Sequence, residues 1–209
     1  MSFGYSYKQL QQNMSHKMFS RKKKHKILLQ NRSSVVKKNT VRQLWPESLY
    51  NHQEEGVQWM LKRENSKVFP GGLLCDEPGM GKTIQIGTLM CRNLKKNNLL
   101  ILPNAVIQQW VNTLTKMISN VNIYVHHGKT KLKNASVLKK GTINVVIVTI
   151  AGVTKMSVFK SIIWDRIIMD ECHYIRNKSS SRSIHAKKLR GRIKWGLTGT
   201  PVQNSIKDL

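Results

Sequence analysis

The sequence predicts an α/β fold in which helices flank a mainly parallel β-sheet. Short continuous apolar runs rich in Ile, Val and Leu recur along it, the mark of strands buried on both faces. Stretches of helical character separate them, as right-handed βαβ units require. The first run also enters a glycine-bearing turn and then a helix beginning near Lys82.

The strand candidates are Gly72–Cys75, Leu99–Pro103, Val121–Val125, Ile143–Thr149, Arg166–Met169 and Lys194–Thr198. Helices are expected at about Glu54–Arg63, Lys82–Asn93, Ala105–Ser119 and Lys131–Lys140. Parallel sheets of this kind bind ligands at the carboxyl ends of their strands. Ahead of these elements, residues 1–40 hold ten Lys or Arg and no acid. Such a segment buries too little apolar surface to offset its ordering entropy, so a disordered basic tail is expected before a folded region spanning 41–209. Within it, Arg21-Lys22-Lys23-Lys24-His25-Lys26 has the density of a nuclear localisation signal or a phosphate-gripping patch, or is simply a solvated basic tail.

Charge narrows the partners. Thirty-six Lys and Arg stand against 10 Asp and Glu, a formal charge of +26. A cation of that size draws polyanions by counterion release, which puts nucleic acid first among partners. The scarce acids cluster: none occurs from Met1 to Pro46 or from Pro78 to Trp164. No apolar run is long enough to span a membrane and no apolar leader opens the chain, so neither a membrane nor a secretory route is expected. Cys75, Cys91 and Cys172 share no metal-ligand spacing. Zinc is therefore not expected, and a reducing, intracellular compartment is. Cys75 reads as a small core residue.

The chemistry-bearing stretch is Cys75-Asp76-Glu77-Pro78-Gly79-Met80-Gly81-Lys82-Thr83. Glycines let the backbone curl its N–H groups toward phosphate oxygens, and the following helix adds its positive dipole end. Lys82 can reach the β- and γ-phosphates of ATP, and the Thr83 hydroxyl can ligate Mg²⁺. The strict phosphate-loop pattern is not met, because Asp76 holds the first glycine position. A Gly-Lys-Thr turn can arise by chance, but the strand and helix around this one weigh against that. Downstream, Asp170 and Glu171 follow the apolar run Ile167-Ile168-Met169, as a Walker B site requires. Asp170 would hold the Mg²⁺ shell and Glu171 would orient and deprotonate the attacking water. An Asp-Glu pair after a strand is more often a solvated loop; its pairing with the phosphate loop sets this one apart.

These motifs resemble the Swi/Snf-like branch of superfamily 2 helicase-type motors. Asp76 to Thr83 is similar to its motif I, which places Asp where the first glycine would stand. Trp164 to Asn177, with Asp-Glu-Cys-His for the usual Asp-Glu-Ala-His, is similar to motif II, and Leu197-Thr198-Gly199-Thr200-Pro201-Val202-Gln203-Asn204-Ser205 to motif III. The resemblance covers about 45–209 and implies the first RecA-like lobe of a DNA-translocating ATPase. Trp59-Met60-Leu61-Lys62-Arg63-Glu64 ahead of Gly71-Gly72 resembles the DNA-repair and termination subgroup.

The resemblance implies residue roles as well. Gln53, in a stretch similar to the Q motif, would read the adenine edge. His173, Thr198, Gly199 and Thr200 would couple the γ-phosphate state to lobe movement. Asn104 and Gln108, in a stretch resembling motif Ia, and Thr149, in one resembling motif Ib, would touch the backbone of double-stranded DNA. Ile150 stands where a tyrosine is commoner. Family members carry a second RecA-like lobe whose arginines complete the ATP site. Lobe 2 is not found within these 209 residues, so poor hydrolysis by this stretch alone is expected. Arg176, Arg182, Arg190 and Arg192 are expected on the wrong side of the interlobe cleft to substitute. The implied setting is the nucleus or another DNA-containing compartment, such as a viral replication site. A non-catalytic DNA- or partner-binding module and a strand-separating helicase are the rival readings.

Overall fold

The computed structural model describes residues 48–126, 138–155 and 157–201. Six strands form one sheet: β1 (Gly71–Leu74), β2 (Asn97–Leu102), β3 (Val121–His126), β4 (Ile143–Thr149), β5 (Ile163–Met169) and β6 (Arg190–Leu197). Their order is β1-β6-β5-β2-β4-β3, and every pairing is parallel. All six carboxyl ends therefore open on one edge of the sheet. The predicted α/β class holds, with helices on both faces.

Alternation along the central strands explains why their apolar runs are unbroken. Leu100 and Leu102 of β2, Val145 and Ile147 of β4 and Ile168 of β5 belong to one buried cluster. Helices α1 (Asn51–Glu64), α2 (Lys82–Arg92) and α3 (Ile107–Met117) close it, through Val57, Met60, Ile86, Leu89, Trp110 and Leu114. The intervening Leu99, Ile101, Val146, Val148, Ile167 and Met169 form a second cluster on the opposite face. There α4 (Ile150–Lys155), α5 (Val158–Ser161) and α6 (Ser181–Lys187) supply Val153, Phe159 and Ala186. Burying one such aliphatic side chain contributes about 1.5–3 kcal/mol. In α3 the buried residues Ile107, Trp110, Leu114 and Met117 keep helical spacing along one stripe. A Cβ on Gly87 of α2 would lie 2.4 Å from Met117 Sδ, so a side chain there would push the methionine tip of α3 aside.

Two ion pairs join elements of the first face. Glu54 of α1 accepts from both terminal nitrogens of the Arg92 guanidinium, at 2.6 and 2.8 Å, fastening α1 to α2. The Arg92 hydrogen bond, outweighing partial burial, holds the Glu54 carboxyl below its ordinary range. A depressed folded-state pKa gives stability that is fully present above the unfolded value of 4.5 and is lost as pH falls through the folded one. Glu54→Gln should therefore cost about 0.5–1 kcal/mol in urea denaturation at pH 7, and the gap to the unmodified chain should narrow as pH falls below 4.5 and through the depressed folded-state value. A gap that persists undiminished in acid would show that Gln disturbs packing rather than the ion pair.

The second pair is wholly buried. The Glu64 carboxylate accepts from Arg166 Nε at 2.6 Å and Arg166 NH2 at 2.5 Å. Trp195 Nε1 and Asn93 Nδ2 donate to the same carboxylate, at 2.9 and 2.6 Å. Arg166 also donates to Asn98 Oδ1 and to the Asn93 carbonyl.

The expected strands are all present, with shifted ends: β5 begins at Ile163 and β6 at Arg190. The expected helix at Ala105–Ser119 opens instead with a 3₁₀ turn, Asn104–Val106, before α3. Most of the expected Lys131–Lys140 helix lies outside the described residues, and its end at Leu138–Lys140 is not helical. Cys75 is no core residue: β1 ends at Leu74, which leaves Cys75 exposed at the start of the loop. The expected basic tail at 1–40 lies outside the described residues.

Candidate nucleotide site

The phosphate loop leaves the carboxyl end of β1 and enters α2 at Lys82. Gly79 and Gly81 hold φ values of +84° and +82°, the left-handed conformation that lets successive N–H groups turn inward. Gly81 is the residue preceding the first turn of α2. Lys82 Nζ donates to the carbonyls of Asp76, at 2.7 Å, and Glu77, at 3.1 Å, folding the ammonium back over the loop. Thr83 is the next residue of that first turn. Asp76, at the unusual position, accepts from Gln85 Nε2 at 2.7 Å, so its carboxylate ties the loop to the buried side of α2.

Gln53 braces the loop from α1. Its Oε1 accepts from the Tyr50 amide at 3.2 Å and its Nε2 donates to the Met80 carbonyl at 3.2 Å. A Cβ on Gly81 would sit 2.3 Å from that Nε2, so a side chain there would displace the Gln53 amide from the loop besides straining the left-handed backbone. His52 Nε2 lies 3.2 Å from the same Met80 carbonyl.

Asp170 and Glu171 follow β5 at the same edge. The Asp170 amide donates to Ile101 of β2, and its carboxylate accepts from Trp110 Nε1 at 3.1 Å and from the Glu171 amide at 3.0 Å. Burial pushes the Asp170 carboxyl above its ordinary value, against the pull of those two hydrogen bonds. A desolvated carboxylate beside a phosphate loop suits a divalent cation, which would offset the lost hydration. Trp110 is the residue that sequence reading passed over. Its helical spacing with Ile107 and Leu114 is that of a core position, and nothing in that pattern singles out its indole N–H as a partner of Asp170.

Motif III touches both other motifs. His173 Nδ1 lies 3.0 Å from Glu171 Oε2 and 3.4 Å from Thr198 Oγ1, bridging the two. Thr198 is buried, its amide donates to Leu74 of β1, and its hydroxyl accepts from the Thr200 amide at 3.1 Å. A Cβ on Gly199 would lie 2.8 Å from Pro78 Cδ, so the strand-end loop rests directly on the phosphate loop. Asn104 and Gln108 are exposed just beyond β2, Gln108 donating to Asn112. Thr149 ends the neighbouring β4, its hydroxyl accepting from Gly152 in the first turn of α4.

Of the four arginines, Arg190 and Arg192 lie at the amino end of β6, across the sheet from this edge. Arg176 and Arg182 do not share that placement: Arg176 lines one groove with His173, and Arg182 stands 5.9 Å over the Tyr174 ring.

Residues 52–209 match the family model of the SNF2-related domain. The chain belongs to that family. Similar proteins include transcription termination factor 2 of Drosophila melanogaster, 29% identical over 208 residues, covering 78% of this chain and 19% of that protein. The mouse DNA excision repair protein ERCC-6-like is 31% identical over 177 residues, covering 78% of this chain and 14% of that protein. The Sulfolobus solfataricus SWI2/SNF2 ATPase core, solved in complex with dsDNA, superposes with a TM-score of 0.67 at 28% identity. That superposition covers 78% of this chain and 34% of the other. The chain thus spans about a fifth or less of the length of these two curated relatives.

Proposed function

We propose that this chain is the ATP-binding first lobe, residues 41–209, of a motor that tracks along double-stranded DNA. The observation that carries this reading is the convergence of Gln53, Lys82, Asp170, Glu171, His173 and Thr198 on one edge of the sheet. In that reading Lys82 meets the β- and γ-phosphates, Gln53 meets the adenine while bracing the loop, and Glu171 holds the attacking water. Thr83 and Asp170 would hold Mg²⁺, which neutralises charge on the phosphate oxygens. His173, between Glu171 and Thr198, would couple the γ-phosphate state to lobe movement through the loop that rests on Pro78.

The DNA would meet the exposed ends of β2 and β4 at Asn104, Gln108 and Thr149, through its backbone rather than its base edges. A second RecA-like lobe would close over the same edge. The basic run Arg21–Lys26 supports a nuclear or other DNA-containing setting.

Isothermal calorimetry on the 209-residue chain tests the nucleotide reading. The unmodified chain should bind ATP–Mg²⁺, and Lys82→Ala should abolish that binding. Unchanged affinity in the variant would remove Lys82 from the site.

A further inference from the structure

The segment between β5 and α6 carries a cluster that the proposed function does not use. Ser179, Ser180, Ser181 and Ser183 follow Arg176-Asn177-Lys178 there, and no Asp or Glu occurs from Cys172 to Lys207. Basophilic serine/threonine kinases choose a hydroxyl by the cations around it, above all an arginine three residues ahead, which an acidic cleft receives. Across the whole chain only two hydroxyl residues, Ser66 and Ser179, stand three residues after an arginine.

The fold separates the two. Ser66 is half-buried in the turn that closes α1, its amide donating to the Arg63 carbonyl at 3.1 Å. The Arg63 guanidinium is tied to the Gly71 and Phe69 carbonyls, and Glu64 beside it is buried. Ser179 is exposed, as are Arg176, Asn177 and Lys178. It lies outside every helix and strand, so a kinase can draw it out without undoing either. The neighbouring serines are held more firmly. Ser180 caps α6 by accepting from the Ser183 amide at 3.2 Å, Ser181 is the first residue of that helix, and Ser183 is buried.

The surroundings of Ser179 suit a phosphate better than a hydroxyl. Its Oγ donates to Asn177 Oδ1 at 2.7 Å, and its amide donates to the same oxygen at 3.0 Å. Phosphorylation removes the first bond and adds about −1.5 to −2 charge with three acceptor oxygens. Arg176 stands three residues before Ser179 and Arg182 three residues after it. Both line a groove of about 570 Å³, with His173, Ser180 and Ser181. Arg182 lies 5.9 Å over the exposed Tyr174 ring, a weak contact that a charge-assisted bond to phosphate outweighs.

We propose that Ser179 is a phosphorylation site for a basophilic serine/threonine kinase, and that Arg176 and Arg182 hold the phosphate it gains. The γ-phosphoryl group of ATP passes to Ser179 Oγ and its bond to the β-phosphate oxygen breaks. ADP leaves, and the hydroxyl proton goes to the catalytic carboxylate of the kinase. The loop begins directly after the 3₁₀ turn Cys172–Ile175, and the Arg176 amide donates to the His173 carbonyl at 3.2 Å. The modification thus lies next to the turn that carries His173.

The test incubates the full 209-residue chain with ATP–Mg²⁺ and the catalytic subunit of cyclic-AMP-dependent protein kinase, and maps the product by peptide mass spectrometry. Phosphate should appear on Ser179, be absent from that position in Ser179→Ala and return there in Ser179→Thr. Arg176→Gln should slow labelling at Ser179 by at least about thirtyfold, and Arg176→Lys should restore part of the rate. A broad-specificity serine/threonine phosphatase should then release phosphate at least about tenfold more slowly from the chain than from a phosphorylated peptide of residues 172–187. Arg182→Gln should bring the rate of the chain to that of the peptide. Labelling of other serines with Ser179 unmodified overturns the site, and so does labelling of Ser179 that is indifferent to Arg176→Gln. Equal phosphatase rates for chain and peptide overturn the grip by the two arginines.

Discussion

Residues 1–209 alone should turn over ATP barely above background, and a second lobe supplied in trans should raise DNA-stimulated turnover about 10³–10⁵-fold. That range is what a positioned arginine contributes to phosphoryl transfer by stabilising transition-state charge. Most described arginines are committed elsewhere. Arg92 holds Glu54, Arg166 holds Glu64, Arg63 donates to the Gly71 and Phe69 carbonyls, and Arg190 and Arg192 sit at the opposite edge. With both lobes present, Glu171→Gln should abolish turnover while leaving ATP bound, because the phosphate loop is untouched. Phosphate release measured on the purified chain decides the matter. Robust DNA-stimulated turnover by these residues alone would mean that Arg176 or Arg182, beside His173 and Tyr174, completes the site in cis.

Arg166→Met should destabilise the fold by about 3–5 kcal/mol in urea denaturation. Removing one partner strands the Glu64 carboxylate in the interior, where neither water nor another cation compensates it. The added change Glu64→Leu should recover part of the loss, since the buried charge disappears with it. Recovery stays incomplete because the Trp195 indole and the Asn93 amide still lose their acceptor. A loss under 1 kcal/mol for Arg166→Met would falsify the view that this pair anchors α1 to the sheet. ATP affinity should survive in whatever fraction stays folded, as Arg166 does not reach the phosphate loop.

The sheet was legible because its central strands are buried on both faces and so are written as unbroken Ile, Val and Leu. The same rule hid the strand beginnings. Arg166 interrupts β5 with a full charge that only Glu64, a hundred residues earlier, makes tolerable, so the apolar run seemed to start there rather than at Ile163. In β6, Arg190 and Arg192 stand at an exposed entry and carry no apolar signal at all. The helices α4, α5 and α6 are too short to show a period. In the site, the glycines, Lys82 and the Asp170–Glu171 pair were readable because their chemistry demands those residue types locally. The braces were not: Gln85, which holds Asp76, and Trp110, which holds Asp170 from 60 residues away, look like ordinary helix interior.

The strand order also governs how such a lobe is made. Among the described strands β1, which carries the loop proposed to hold phosphate, lies at the edge of the sheet and pairs only with β6, the last of the six to leave the ribosome. During synthesis β2, β4 and β3 can assemble while β1 waits unpaired, its exposed Leu73 and open backbone available to holdase chaperones or to the strands of a neighbouring nascent chain. Only when Arg190–Leu197 arrives does Thr198 reach Leu74 and Gly199 settle on Pro78. On the proposed reading the nucleotide site is thus completed by the final closure of the sheet, and a chain stalled before residue 190 would hold every element of motifs I and II without a formed site.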